Sequence, residues 1–306
     1  MKVLEVEKIC KSFGDFKAVD EVSFAIEAGT IFGLIGPNGA GKTTTLRMIM
    51  NIIIPDSGQI AVLGDSNPVS ANDHVGYLPE ERGLYRKMKV GELLLFLARL
   101  KSMERSEAKK QIDLWLEKFE LMAWKSKKIE ELSKGMQQKI QYIGTVLHRP
   151  KLLILDEPFG GLDPINTNLI KDAMLELKAD GTTLIFSTHV MESAEKLCED
   201  IFLINNGQKV LSGKLSDVKA GFGSHHVLIE FDGSDAFLSQ SRQIKKADKF
   251  GNTAEVELTE NADTQQLLRE AMQSAIIHKF EIKEPSLNEI FIESVNQTNS
   301  GANGNE

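Results

Sequence analysis

A glycine-rich segment near the N-terminus has the residue types that hold a phosphate chain. It reads Gly36-Pro37-Asn38-Gly39-Ala40-Gly41-Lys42-Thr43 and fits the pattern G-x-x-x-x-G-K-[ST]. Glycines let backbone N–H groups close on phosphate oxygens, Lys42 adds a positive charge at the β/γ-phosphates, and Thr43 offers a hydroxyl to Mg²⁺. An apolar run at 31–35 predicts a strand before the loop. A helix is predicted from Thr44 onward, with its N-terminus toward the same anion. The segment therefore predicts a nucleoside triphosphate site.

Two carboxylates end a second apolar run. Residues 152–155 are Leu-Leu-Ile-Leu, and Asp156 and Glu157 follow them. Asp156 is predicted to hold Mg²⁺ mostly through water, because this hard cation prefers oxygen ligands and keeps several waters. Glu157, one residue further, is predicted to orient and deprotonate the attacking water as a general base. His189 follows the apolar run 184–186, in a position suited to contact a γ-phosphate.

A third segment, Leu132-Ser133-Lys134-Gly135-Met136, predicts a further anion-binding helix end. Ser133 is a favourable N-cap residue, and the N–H groups of the first helical turn point away from the helix toward any anion placed there.

The order of apolar patterns predicts an α/β protein with two domains. Residues 3–26 alternate between polar and apolar types and predict an antiparallel β-layer, whereas about 84–150 has helical spacing and predicts an inserted helical subdomain. Two apolar runs separated by a helical stretch at 165–178 predict a parallel sheet. We expect this first domain to span 1–220. A small α+β domain is predicted at 225–295, and 296–306 has the composition of a disordered tail.

Composition narrows the class of protein. The chain has 306 residues, 42% hydrophobic and 26% charged, and a net charge of −8, which argues against broad nucleic-acid binding. Its two cysteines lie far apart and give no support for a metal site. No apolar run approaches the roughly 20 residues of a membrane span. No secretion signal precedes the first predicted strand, so the chain is expected to stay where it was made.

These motifs, in this order, resemble those of the ATP-binding subunits of ABC transporters, over about residues 3–215. The resemblance identifies 36–43 as Walker A, 132–137 as the LSGGQ-type signature, 152–157 as Walker B and His189 as the H-loop histidine. It implies that Phe13 stacks on adenine and that Asp163 belongs to the D-loop. It also implies that Ser133 and Gly135 contact a γ-phosphate. The implied fold is a P-loop NTPase core, and the implied ligands are ATP and Mg²⁺.

Two departures from the family pattern concern the ligands. Glu80 stands where the family has the Q-loop glutamine, and we expect it to keep the role in binding Mg²⁺ while adding negative charge. The signature reads LSKGM rather than LSGGQ. Together with residues 284–293, Glu-Pro-Ser-Leu-Asn-Glu-Ile-Phe-Ile-Glu, these departures resemble a prokaryotic subgroup. Its members are sodium-efflux-like and drug-export-like ATPases with a small C-terminal domain.

The resemblance also implies partners. Each ATP in the family lies between the phosphate loop of one subunit and the signature of another, which implies a head-to-tail homodimer with two sites. It implies a separate membrane permease, contacted by the loop from Glu80 to Arg86 and the neighbouring helical insertion. The chain would then work at the cytoplasmic face of the membrane, energising export of sodium or a drug-like cargo.

Two other functions are compatible with a phosphate loop. A soluble ABC-type ATPase acting on ribosomes or DNA is the main alternative, although residues 44–133 predict only short helices and the chain has one cassette. A nucleotide sensor without turnover is disfavoured because Lys42, Asp156, Glu157 and His189 are all present.

Overall fold

The computed structural model of the chain describes residues 1–66, 72–81, 83–222, 226–259 and 262–302. Contacts divide the chain into two compact units, Met1–Gly213 and Lys214–Glu306. Arg82, in the segment after Glu80, lies outside the described residues.

The first unit alternates strands with helices. Its strands are β1 (Lys2–Phe13), β2 (Phe16–Glu27), β3 (Ile31–Ile35), β4 (Ser57–Val62), β5 (Val75–Leu78), β6 (Leu152–Asp156), β7 (Thr183–Thr188), β8 (Asp200–Asn205) and β9 (Gln208–Lys214), which ends at the boundary. Its helices are α1 (Lys42–Ile49), α2 (Val90–Leu100), α3 (Arg105–Lys118), α4 (Lys134–Val146), α5 (Pro164–Ala179) and α6 (Met191–Leu197).

Two sheets form the frame of this unit. The larger has the strand order β5-β6-β7-β3-β8-β9. The first five strands in this order pair with their neighbours in parallel. Strands β3, β6 and β7 are buried at every position, which explains why they are short continuous apolar runs. The smaller sheet is antiparallel, in the order β2-β1-β4. Parallel strands bring their carboxyl ends to one edge, so residues following β3, β5, β6 and β7 meet there.

A helical insertion made of α2, α3 and α4 lies between β5 and β6. Apolar residues spaced three or four apart are buried on each helix, for example Leu94 and Ala98 on α2 and Ala108 and Ile112 on α3. The Glu104 carboxylate caps α3 by accepting from the N–H of Ser106.

The second unit is an antiparallel sheet with helices. Its elements are α7 (Leu215–Phe222), β10 (His226–Gly233), α8 (Ala236–Gln240), β11 (Ile244–Phe250), β12 (Thr253–Leu258), α9 (Thr264–Ser274), β13 (Ala275–Lys283) and α10 (Leu287–Ala302). The strand order is β11-β12-β10-β13. One face is buried and apolar because Val227, Ile229, Phe231, Ala254 and Val256 alternate with more exposed residues and pack in one cluster with Leu267 and Ala271 of α9.

Two sequence-based expectations differ from the structure in this unit. The tail predicted as disordered from residue 296 is helical as far as Ala302, because α10 continues from its buried start at Leu287 and Ile290. Residues 303–306 lie outside the described part. The composition of Gly221-Phe222-Gly223-Ser224 predicts a linker between the two domains, whereas residues 221 and 222 end α7 and residues 223 and 224 lie outside the described part. The domain limits of 220 and 225 stay a prediction.

None of the helices in the described ranges combines the length and the apolar character that crossing a bilayer requires.

A buried histidine makes the stability of the first unit depend on pH. Burial beside the Lys101 ammonium lowers the pKa of His148 to about 4. Its Nε2 lies 3.2 Å from the Val75 carbonyl, and its buried Nδ1 has no hydrogen-bond partner in the described part of the chain. An unfolded chain takes up this proton near pH 6.5. Stability is therefore lost as the pH falls from about 6.5 to about 4, by about 3 kcal/mol in total.

We expect His148→Gln, which cannot titrate, to flatten this dependence. Between pH 7 and pH 5 the free energy of unfolding of the unaltered chain should fall by about 2 kcal/mol more than that of the variant. Urea titrations followed by tryptophan fluorescence measure this, since Trp115 and Trp124 both lie in the first unit. Parallel pH curves for the two proteins would contradict the prediction.

Candidate functional site

The glycine-rich loop runs from the end of β3 to the start of α1, and two of its glycines are required by the fold itself. A Cβ at Gly36 would lie 2.1 Å from the Ile204 carbonyl oxygen of β8. Gly41 has a φ of 103°, and a Cβ there would lie 2.5 Å from the Ala18 carbonyl oxygen. Ala40 is buried and joins the loop to Gly207 through a 3.0 Å backbone hydrogen bond. The loop is therefore held close to β8 and β2 before any ligand is considered.

Lys42, the first residue of α1, brings a buried positive charge to the loop. Its side chain is 6% exposed, and Nζ donates to the Gly36 carbonyl at 2.7 Å and the Pro37 carbonyl at 3.0 Å. The same Nζ lies 3.5 Å from Glu157 Oε1. The backbone N–H groups of Thr43 and Thr44 lie in the first turn of α1. They face the loop because N–H groups in a first turn have no carbonyl partner within the helix.

Glu157 links the loop to His189. The His189 Nδ1 lies 2.9 Å from Glu157 Oε1, so one carboxylate oxygen contacts both the ammonium of Lys42 and the imidazole. The Glu157 backbone has a φ of 47°, a left-handed conformation that is costly for a residue with a side chain and is common at functional sites. Lys42, Glu157 and His189 were all predicted as site residues from the sequence, and the structure brings them into contact.

Asp156 lies at the end of β6, almost fully buried. Its Oδ1 accepts from Thr43 Oγ1 at 3.2 Å and from the Ser187 hydroxyl, whereas its buried Oδ2 has no hydrogen-bond partner in the described part of the chain. Burial raises the pKa of this carboxyl above its ordinary value, although hydrogen bonds from Ser187 and Thr43 act in the opposite direction. A buried carboxylate oxygen without a donor fits a hard cation or its water.

Among the described residues, no group of three or more His, Cys, Asp or Glu side chains could hold a metal ion. Mg²⁺ does not require one, because it keeps several waters and takes its other ligands from substrate phosphates. The oxygen donors of Asp156 and Thr43 fit such an ion.

A cavity of about 300 Å³ opens beside these carboxylates. Glu80, two residues after β5, lines it together with Asp156, Glu157, His189 and Gly161. The predicted position of Glu80 near the metal-binding carboxylate is thus compatible with the geometry, and its role stays a prediction.

Other predicted site residues lie outside this network of contacts. Phe13 is at the end of β1 in the hairpin to β2, where it is 51% exposed. Ser133 caps α4 by accepting from the Met136 N–H at 3.3 Å, and Asp163 caps α5 by accepting from the Asn166 N–H at 2.9 Å. A Cβ at Gly135 would meet nothing closer than 3.8 Å. Packing within the chain therefore does not explain why this position is a glycine.

Three polar residues that contact the site or the loops around it were not predicted from the sequence. Gln138 and Gln141 are buried on α4. Gln138 Nε2 donates to the Pro158 carbonyl at 2.8 Å, and Gln141 Nε2 lies 3.4 Å and 3.2 Å from the carbonyls of Pro79 and Glu81. Each thus contacts a loop that carries a predicted site residue. Ser187 is the third. The sequence did contain signals for these residues. They are the two glutamines on the apolar face of α4 and the serine near the end of the apolar strand β7.

The arrangement suits transfer of a phosphoryl group to water. A cationic loop can hold the phosphates, a buried carboxylate can hold the metal, and a second carboxylate beside an imidazole can direct the water.

Comparison with known proteins gives matches over both units. The family model described as "ABC transporter" matches residues 19–160, and one described as "ATP-binding protein DrrA1-3-like, C-terminal domain" matches residues 213–295. The uncharacterized ABC transporter ATP-binding protein YhaQ of Bacillus subtilis is 45% identical over 96% of this chain and 98% of that protein. The linearmycin resistance ATP-binding protein LnrL, also of B. subtilis, is 31% identical over 97% and 99%.

Solved structures agree with these matches. A structure described as the ATP-binding subunit of an ABC transporter superposes with a TM-score of 0.68 at 32% identity, covering 72% of this chain and 93% of that one. A nucleotide-free ATP-binding cassette gives 0.61 at 25% identity, covering 70% and 92%.

Proposed function

Because this chain belongs to the family of ABC transporter ATP-binding proteins, we propose that it hydrolyses ATP at the Walker B edge of the sheet to drive a separate membrane permease, in the direction of export. The observation that carries the site assignment is the chain of contacts from Lys42 through Glu157 to His189 beside the buried Asp156. Family membership confirms the predicted α/β ATPase fold and the ATP-binding transport function. The alternative of a ribosome- or DNA-directed ATPase finds no support in the relatives.

The proposed chemistry assigns a role to each contact. Lys42 and the backbone N–H groups of the loop bind the β- and γ-phosphates, and Glu157 takes the proton of the attacking water. His189 holds the Glu157 carboxylate in place and contacts the γ-phosphate. Asp156, Thr43 and Glu80 would hold Mg²⁺, which neutralises charge that develops on the phosphates during transfer.

A homodimer is proposed because the signature residues are separate from the loop. Ser133 is exposed at the start of α4, and a Cβ at Gly135, in the first turn of the same helix, would meet no atom closer than 3.8 Å. A helix N-terminus with a serine cap and a small residue suits close approach by an anion. We propose that this anion is the γ-phosphate of ATP on a second subunit, which gives an isologous dimer with two sites. Phe13 is assigned to adenine stacking and Asp163 to the same dimer contact.

The permease is proposed to dock on the cleft between the helical insertion and the loop after β5. A cavity of about 240 Å³ is lined there by Leu84, Tyr85, Leu97, Leu100 and Gly144. Tyr85 is 57% exposed and Leu100 61% exposed, so an apolar surface borders the cavity. The cavity lies beside the loop that carries Glu80. A permease segment docked there would therefore be connected to the nucleotide site through this loop.

The experiment is affinity purification from detergent-solubilised membranes of the native host, with tagged Glu157→Gln chain and Mg²⁺ATP, followed by mass spectrometry. A stoichiometric polytopic membrane protein is expected to copurify. Adding Tyr85→Ser and Leu100→Ser should reduce its recovery about tenfold or more, because both side chains lose apolar contact area.

A control pair, Leu114→Ser and Leu175→Ser, changes exposed leucines on α3 and α5 that do not line this cavity. It should leave recovery unchanged. Recovery of ribosomal or DNA-associated proteins without a permease would overturn the proposed function. Equal losses for both pairs would overturn only the docking surface.

Cargo and location follow from the relatives and stay proposals. LnrL is named for linearmycin resistance and YbhF of Escherichia coli as a probable multidrug protein. A drug-like or sodium cargo is proposed by analogy. The chain would be peripheral, held at the cytoplasmic face of the membrane by its permease.

A further inference from the structure

The Ser187 hydroxyl lies between the two carboxylate residues of the site. It is fully buried on β7. Its Oγ donates to Asp156 Oδ1 and accepts the backbone N–H of Glu157 at 3.1 Å. One side chain thus contacts both the residue assigned to the metal and the residue assigned to the water.

Strand pairing places the Ser187 hydroxyl beside Asp156. In the parallel pair of β6 with β7, Asp156 is opposite Ser187. The side chain at this position therefore extends to the carboxyl end of β6 without any loop rearrangement. Ser187 lies two residues before His189. The end of β7 and the residue after it therefore provide one contact to Asp156, from Ser187, and one to Glu157, from His189.

The contact at Asp156 restricts the carboxylate. Both donors that reach it, from Thr43 and Ser187, bind Oδ1, and Oδ2 has no partner in the described part of the chain. Rotation of the carboxylate plane out of this orientation would break both hydrogen bonds. Ser187 thereby holds one oxygen on the two donors and leaves the other facing the position available to the metal and its waters.

The contact at Glu157 restricts the backbone. The left-handed φ of 47° is costly for a residue with a side chain and persists only where the surroundings hold it. The hydrogen bond from the Glu157 N–H to Ser187 is one such restraint. It acts on the residue whose carboxylate must meet Lys42 and His189.

We propose that Ser187 is a positioning residue that sets the orientation of Asp156 toward Mg²⁺ATP and of Glu157 toward the attacking water. The inference rests on the proposed roles of those two carboxylates. It assigns no contact between Ser187 and the substrate.

The first test measures how much Mg²⁺ strengthens ATP binding, in the Glu157→Gln background where ATP hydrolysis is expected to be about a thousandfold slower. Calorimetric titrations with and without Mg²⁺ give this gain in affinity. Ser187→Ala should reduce the gain about tenfold, as loss of a group that orients a metal ligand does. The matched control is Thr183→Val, which removes a buried hydroxyl of β7 that accepts the Gly29 N–H at 3.0 Å, away from the site. It should leave the gain unchanged.

A double-mutant cycle separates failure of this inference from failure of the proposed function. Asp156→Asn should abolish most of the gain, and adding Ser187→Ala should then change little, because its target is already lost. If Asp156→Asn reduces the gain and Ser187→Ala does not, the positioning role is overturned and the proposed metal site stands. If Asp156→Asn has no effect, both are overturned.

The second test addresses Glu157 in the chain with its natural glutamate. At saturating Mg²⁺ and ATP, Ser187→Ala should lower kcat about tenfold, while the KM for ATP rises by no more than the loss of Mg²⁺ATP affinity found in the first test. Thermal unfolding of each variant confirms that the fold is retained. An unchanged kcat under saturation, or an equal fall with Thr183→Val, would overturn the role at Glu157.

Discussion

Glu157→Gln is expected to lower the steady-state rate of ATP hydrolysis by about a thousandfold, within the range of general-base catalysis. The glutamine keeps the size of the side chain and its contact distance to His189, and it removes the group that accepts a proton from water. ATP affinity should remain within a few fold, because Lys42 and the loop are unchanged. Phosphate release and calorimetric binding measure the two quantities.

The same variant tests the proposed dimer. With Mg²⁺ATP it should elute from size-exclusion chromatography as a dimer, since the nucleotide that joins two subunits is no longer consumed. Glu192→Gln is the matched control, because Glu192 is an exposed carboxylate paired with Lys196 outside the site. It should retain full activity and show no ATP-stable dimer. Hydrolysis at more than a tenth of the normal rate by Glu157→Gln would exclude Glu157 as the base.

Lys42→Met is expected to weaken ATP binding by about a hundredfold. A hydrogen bond to a charged group contributes about 1.5–3 kcal/mol, and 2.7 kcal/mol corresponds to two powers of ten in affinity. Methionine retains an unbranched apolar stem, which matters because the side chain is 6% exposed and is packed inside the loop. Hydrolysis should fall below detection at ATP concentrations that saturate the unaltered chain.

Lys196→Met provides the comparison for this prediction. It removes the same charge from an exposed position, where Nζ lies 2.7 Å from Glu192. ATP affinity of this variant should match that of the unaltered chain. If Lys42→Met binds ATP within threefold of normal, the lysine does not contact the phosphates and the assignment of the loop is wrong. A thermal unfolding curve distinguishes lost binding from lost folding.

Sequence patterns predicted the elements that have a continuous apolar run or a strong helical period. The short apolar runs at 31–35, 152–155 and 183–186 became buried parallel strands. Helix α8, of five residues, and strand β11, of seven, were not predicted, because segments this short carry too little periodicity to predict an element. The end of α10 was missed because a helix that has started can continue through residues of poor propensity.

The chemical groups of the site could be predicted from local sequence patterns alone. A phosphate loop, two consecutive carboxylates, a histidine after a strand and a capped helix are local patterns, and their residue types specify their chemistry. Which of these groups contact one another depends on how the chain folds. Lys42, Glu157 and His189 are far apart in the chain, and they come together because parallel strands end at the same edge of one sheet. Ser187 could not be singled out in advance, since a serine ending a buried strand has no distinctive pattern until pairing places it opposite Asp156.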